Sequence, residues 1–475
     1  MDMTRRTFTL AAAATAAAVA APLAAKTAKM DDVLVLGAGI SGLNSARQLE
    51  AQGLKVTVLE GRQRVGGRIY TLFDVEGYPE MGFNSMGEGY GRGLDAASWA
   101  GVEMVDVAQR FYTGKPQALW LNGKHMTREE WAAFPGNPFP AELKTVMPWE
   151  LLNALVAKHN RLTDWLAWLD PANAKLDISV HEFLKTQGLS DAAIQLACDT
   201  SPYYGTNSYD ASALMLEFNQ GFIATQIAAG KKVLAVKGGN MNLPIAMAKK
   251  LKGPVLLGKE VVAIDNQPDA VDVRCADGSV YRAKQLICSL PFSALRHVHI
   301  TPALTGKQAQ AVATLPYQPI TIAMLQASEP FWETDGLSPN MWTDGFSGWV
   351  APQRFGANPA DVTGLMVQGR GNLSKQWDRL GKDAAMQRVI ATIEAMRPSA
   401  RGKLKAVSYH SWSGEYFNGG DIAYYSPGQI AAFVADMGAA AGRIHFCGEH
   451  LATGARGLEG ALETSERAVL EILSA

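Results

Sequence analysis

Cysteine, histidine and net charge are all scarce in this chain. Only four cysteines occur in 475 residues, Cys198, Cys275, Cys288 and Cys447. Their spacing fits neither a disulfide framework nor a metal-binding motif. Eight histidines are scattered without an H-x-x-x-H cluster, so no metal site is expected. The formal net charge is −1, which offers nothing to a nucleic acid. The alanine-rich run over residues 11–25 is short and only mildly apolar for a membrane span. What remains is 48% apolar and 19% charged, an ordinary globular balance with a large core. The length suits two or three domains, or one large interleaved fold.

The N-terminus carries Thr4-Arg5-Arg6-Thr7-Phe8-Thr9-Leu10, a twin-arginine pattern, ahead of that alanine-rich run. Small residues before Lys26 suit cleavage. Residues 1–30 therefore read as a signal for the twin-arginine translocase and are set aside from fold reasoning. That route carries folded proteins, often with a cofactor inserted, and implies a periplasmic location.

The first folded stretch is Asp32-Val33-Leu34-Val35-Leu36-Gly37-Ala38-Gly39-Ile40-Ser41-Gly42. It reads as an apolar strand, a glycine turn and the start of a helix running to about Gln52. The G-x-G-x-x-G spacing assigns three roles: Gly37 turns the chain, Gly39 admits a pyrophosphate, and Gly42 lets helix approach strand. The helix N-terminus adds free N–H groups and partial positive charge. A second strand, Lys55 to Leu59, ends in Glu60. This acid lies about twenty residues past the glycines, where a carboxylate accepts from an adenosine ribose. A dinucleotide site follows.

Glu60-Gly61-Arg62-Gln63-Arg64-Val65-Gly66-Gly67-Arg68 continues directly. Guanidinium forks suit phosphate oxygens, and the glycines leave room for a cofactor. This stretch resembles the E-x-R-x-x-G-G-R segment of the FAD-dependent amine oxidase family, which includes monoamine, polyamine and L-amino-acid oxidases. The resemblance implies that Glu60 holds the ribose, with Arg62 and Arg68 near the phosphates and ribityl chain. It implies that the Glu80 to Gly87 segment, with Gly82, Phe83 and Asn84, runs under the flavin ring after a strand-like 69–75. Lys237-Gly238-Gly239-Asn240-Met241-Asn242-Leu243-Pro244 resembles the turn that returns the family's chain to its FAD domain. Val262 matches the valine whose backbone pairs with adenine in the family. His297 and Lys307 fall near the family's lysine on the flavin N5 side. Trp412-Ser413-Gly414-Glu415 resembles W-x-x-D/E. Gly448 and Glu449 match the ribityl-binding G-E. Gly457-Leu458-Glu459-Gly460-Ala461 matches the opening of a last helix facing the flavin pyrimidine.

Between these motifs, residues 94–230 read as mainly helical, including 149–168 and 180–185. Residues 318–371 alternate like an antiparallel sheet, and 383–396 read as a helix. The expected fold class is α/β: a Rossmann-type FAD-binding domain interleaved with a mixed α+β substrate domain. The FAD-binding parts are 31–93, 231–300 and 412–475; the substrate parts are 94–230 and 301–411.

The resemblance implies hydride removal from the carbon beside an amine nitrogen, then hydrolysis of the imine. By spacing, the two aromatic positions that flank the amine in monoamine oxidases fall on Ile422 and Gly457, with Tyr424 available to fill the gap. The position of the flavin-bonding cysteine of some members falls near Gly420, so non-covalent FAD is expected. The expected partners are a small amine, oxygen or a periplasmic electron carrier, and the translocase, with a homodimer allowed. Two other readings stay open: a C–C desaturase or protoporphyrinogen-type oxidase, and a non-catalytic flavin-binding protein.

Overall fold

The computed structural model describes residues 30–111, 113–354 and 360–474. The twin-arginine segment lies outside the described residues, apart from Met30.

Asp31–Leu36 and Val56–Leu59 are short apolar strands that pair in parallel, with Val33 opposite Val56 and Leu36 opposite Leu59. Their buried stretches carry no polar–apolar alternation because helices and neighbouring strands cover both faces. The nine-residue strand Val280–Cys288 lies on the other side of Asp31–Leu36, also parallel. Its first half forms a hairpin with Val271–Cys275, and its last three residues pair with Ile444–Phe446. One sheet of eight strands thus gathers chain from the start, middle and end of the sequence.

The helix Ile40–Ala51 packs against the last helix, Gly457–Leu473. Asn44 Nδ2 donates to Ser465 Oγ at 2.6 Å across that contact. The early glycine turn and the late G-x-E-G-A turn are thereby fixed beside each other.

A second sheet of seven strands runs in the order Leu404–Ser411, Ile320–Ala327, Gly364–Arg370, Trp349–Gln353, Met341–Thr343, Ala118–Leu121, Lys124–Met126. The helices Asn372–Leu380 and Lys382–Met396 pack on it through Trp377, Val389 and Ile393.

Several expected elements are corrected. Residues 94–230 are mainly helical and also contribute Ala118–Leu121 and Lys124–Met126 to the seven-stranded sheet. Ala118-Leu119-Trp120-Leu121 is buried on both faces, so it shows no period of two. The expected helix over 149–168 is Pro148–Lys158 followed by a separate short turn at Trp165–Leu169. The expected strand over 69–75 is a turn-rich segment with one bridge, Thr71 to Glu80.

Candidate cofactor cleft

A cleft enclosing 1440 Å³, its open mouth included, runs along the C-terminal ends of the central parallel strands. Its walls come from chain segments hundreds of residues apart.

The glycine turn forms one wall. Gly37 has φ +94°, a backbone region that favours glycine. Ser289 Oγ donates to the Leu36 carbonyl at 2.6 Å and braces that turn. A Cβ on Gly42 would sit 2.1 Å from the Gly37 carbonyl oxygen, so this glycine lets the helix start against the turn. A Cβ on Gly39 would meet no protein atom, because Gly39 opens onto the cleft. Ile40 and Ser41 also line it. Ala38 does not; its backbone N–H donates to Glu60 Oε2 at 2.8 Å.

Glu60, Gly61 and Arg62 line the adenosine end expected from the motif. Glu60 Oε1 accepts from the Arg62 N–H at 2.8 Å, while Arg62 Nε reaches Glu415 at 2.5 Å. Burial pushes the Glu415 carboxyl up, but His410 and Arg62 outweigh it and hold the group down at about 2. Arg62 Nη2 has no hydrogen-bond partner.

Gly67, Arg68, Gly82, Phe83, Gly448, Glu449, Ile422, Gly457 and Leu458 line the rest. Arg68 Nη1 donates to Glu449 Oε1 at 2.8 Å and to the Asp421 carbonyl at 2.6 Å. The Ala423 N–H also donates to Glu449 Oε1, at 2.8 Å. Burial raises the Glu449 carboxyl, yet Arg68 and Arg456 hold it below its ordinary value. Its second oxygen, Oε2, is buried and has no partner. An ionised, buried acceptor without a donor is costly, and the hydroxyls of a ribityl chain are donors of the kind it lacks.

Other expected site residues stand away from the cleft. Lys307 lies on the exposed first turn of Gly306–Thr314 and pairs with Asp436 at 2.8 Å. His297 is exposed and stacks on Tyr416, ring centroids 5.5 Å apart. Tyr416 lines the same end of the cleft as Glu260 and Val261, so His297 sits outside the adenosine end and not on the N5 side. Among the described residues the only lysine lining the cleft is Lys259, also at that end and paired with Asp277 at 2.6 Å. Val261 faces the cleft in place of Val262, because alternate residues of a strand face opposite ways.

Glu459 accepts from the Arg92 and Gly93 N–H groups at 3.0 and 3.1 Å, holding the start of the helix Gly91–Ala100. Trp412 is buried beneath Gly82 and donates to the Met81 carbonyl at 2.7 Å. Asn84 Nδ2 donates to the Gly82 carbonyl at 3.0 Å, which shapes the loop from behind. Tyr424 is buried against Tyr204, centroids 6.2 Å apart, and is not a cleft residue.

Sequence reasoning missed Asp421, Ser289 and His450, all of which line the cleft. His450 follows Gly448-Glu449 directly, which was the available signal. Burial pushes its imidazole down to about 3, and neither ring nitrogen has a partner. Burial also raises the Asp421 carboxyl. The four cysteines are buried and unpaired, and none lines the cleft.

The comparisons with known proteins agree with this geometry. Residues 40–473 match the model of the family described as flavin containing amine oxidoreductase. The flavin-containing amine oxidase of Danio rerio is 26% identical, over 94% of this chain and 87% of that protein. The flavin-containing amine oxidase B of Homo sapiens is 26% identical, over 94% and 86%. Among solved structures, cyclohexylamine oxidase from Brevibacterium oxydans superposes with a TM-score of 0.73 at 21% identity, covering 94% of this chain and 99% of that one. Putrescine oxidase bound to putrescine gives 0.73 at 22% identity, covering 94% and 100%. The chain belongs to the flavin-containing amine oxidoreductase family, and its activity is FAD-dependent oxidation of an amine.

Proposed function

We propose that this chain oxidises a small, uncharged amine at the carbon beside nitrogen and holds FAD without a covalent bond. The observation that carries the reading is the unpartnered Glu449 Oε2, with Arg68 already bound to Oε1, facing the cleft. That arrangement suits a ligand with hydroxyl donors at this point.

FAD, when bound, supplies the two-electron acceptor for the hydride. The turn from Gly37 to Gly42 and the start of its helix would hold the pyrophosphate. Glu60 would take the ribose hydroxyls, and Glu449 the ribityl chain. The uncapped N-terminus of Gly457–Leu473 would face the pyrimidine. Ile69, Ile422 and Leu458 give the inner wall an apolar surface that disfavours an ammonium ion and selects the neutral amine. Hydride leaves only from that form, because the nitrogen lone pair must stabilise the developing iminium. Neither Ile422 nor Gly457 is aromatic, so the amine is oriented by shape and not by an aromatic cage.

The absence of a cleft-lining cysteine supports non-covalent FAD. The twin-arginine pattern supports export of the folded, loaded protein to the periplasm, where oxygen or a carrier would accept the electrons; a homodimer remains part of the proposal. The test is anaerobic addition of an amine panel to the yellow holoprotein. Bleaching by at least one primary or secondary amine is expected. Bleaching only by porphyrinogen or polyene precursors, or by nothing, overturns the reading.

A further inference from the structure

Arg456 is a buried cation whose one role so far is to help hold Glu449 ionised. It occupies the N-cap of Gly457–Leu473 and is 6% exposed. Its Nη2 donates to the Ala423 carbonyl at 2.9 Å. Its Nε and Nη1 are buried and have no hydrogen-bond partner. Among the described residues it forms no salt bridge within 4.0 Å. A guanidinium cannot shed its proton to escape this cost.

Burial disfavours the cation, and Tyr204, Glu449 and Tyr425 around it outweigh that burial, yet none of them forms a salt bridge with it. Glu449 is already taken by Arg68 at 2.8 Å, and Glu459 by Arg92 at 3.4 Å. Tyr204 and Tyr425 stay neutral, since burial pushes the Tyr204 phenol up to about 12 and Tyr425 higher still. The 17-residue helix that Arg456 begins has no side-chain cap. Its first residues, Gly457 and Leu458, line the cleft, and a Cβ on Gly457 would meet no protein atom. A guanidinium without a salt bridge, behind the cleft wall, and a set of free N–H groups therefore lie at one end of the cleft, the end marked by Glu449 and Ile422. Both favour negative charge there.

We infer that Arg456 is the fixed positive charge that raises the reduction potential of the bound FAD, acting from behind the helix N-terminus as a positioning residue. Transfer of a hydride from the amine carbon to flavin N5 moves two electrons and one proton. The substrate leaves as a protonated imine. The ring system gains one negative charge, spread over N1 and O2, and no proton is needed at N1. Arg456 stabilises that charge without touching the reacting atoms.

The inference rests on the FAD reading, and the two fail differently. A chain that binds no FAD sinks both; a loaded chain with an unaltered potential sinks only this one. The measurements are the midpoint potential of the holoprotein and its dissociation constant for sulfite, which adds to the oxidised ring and leaves negative charge on it. Both are compared in wild type, Arg456→Met and Arg456→Lys, each at equal flavin content. Arg456→Met is expected to weaken sulfite binding at least tenfold and to lower the potential by about 30 mV, the two-electron equivalent of tenfold. Arg456→Lys is expected to restore most of both. Equal potential and sulfite affinity in wild type and Arg456→Met overturn the inference. Should the Met variant not fold, wild type decides: a potential at or below that of free FAD overturns it, and one above supports it.

Discussion

Arg397 and Arg68 each face a carboxylate, one beneath the seven-stranded sheet and one in the cofactor cleft. Arg397 is almost wholly buried, and its contacts close on themselves. Nε and Nη2 reach the two oxygens of Asp335 at 2.9 and 2.6 Å, and Nη1 reaches the Ser338 carbonyl at 2.7 Å. Asp335 also accepts from the Leu337 N–H at 3.0 Å. Arg161 is similar, gripping the buried Glu217 through its backbone N–H, Nε and Nη2. In the cleft, Arg68 and Glu449 satisfy only one oxygen of the carboxylate, and His450, Arg62 and Arg456 keep nitrogens without partners. These two scaffold pairs close their buried polar groups, whereas the cleft pair leaves an acceptor open for a ligand to close.

That contrast breaks at its strongest point if Arg397→Ala proves harmless. Leaving Asp335 partly buried without its cation should cost about 3–5 kcal/mol in urea unfolding, with FAD affinity per folded molecule unchanged. Glu80 offers the next largest effect. It is buried behind the cleft floor, accepting from Thr71 Oγ1 and the Asn240 N–H at 2.7 Å each. Burial raises its carboxyl from 4.5 to about 7. Folding therefore favours the protonated form. The stability this supplies is full below pH 4.5 and is lost as pH rises through about 7, a change of about 3 kcal/mol. Glu80→Gln should remove that slope from the unfolding free energy measured across this window.

Glu449→Gln tests the open half of the comparison. Loss of a charged hydrogen-bond acceptor should weaken FAD by about 1.5–3 kcal/mol, read by flavin fluorescence titration. The melting temperature of the FAD-free protein should move less than for Arg397→Ala. Gly39→Ala sharpens the same point, since its Cβ meets only the cleft. FAD affinity should fall while apo stability stays within about 0.5 kcal/mol of wild type. The smallest effect belongs to Lys307→Ala. It breaks an exposed pair with Asp436, so stability should change by under about 1 kcal/mol, with flavin content and turnover unaffected.

Legibility followed the range of the interaction. The glycine turn and Glu60 could be read from residues because local backbone demands fix them, while Gly448 and Glu449 were reached through the resemblance to the amine oxidase family. Val261 lines the cleft and Val262 does not, because a strand's facing depends on register, which a short apolar run does not reveal. His297 and Lys307 were chosen by position along the chain, and the fold carries both elsewhere. Ala118–Leu121 read as part of a helical region because one of its two partners, Met341–Thr343, lies more than two hundred residues away.

The order of glycines, acids and apolar runs was enough to determine a dinucleotide cleft, and the resemblance of those motifs to the amine oxidase family supplied FAD and the class of reaction. Those features are local, and each has a steric or charge reason at its own position. Tertiary structure alone decided which polar groups stay unpaired: Glu449 Oε2, both His450 nitrogens, and Arg456. Whether a buried group finds a partner depends on residues that meet only after distant strands and helices have packed.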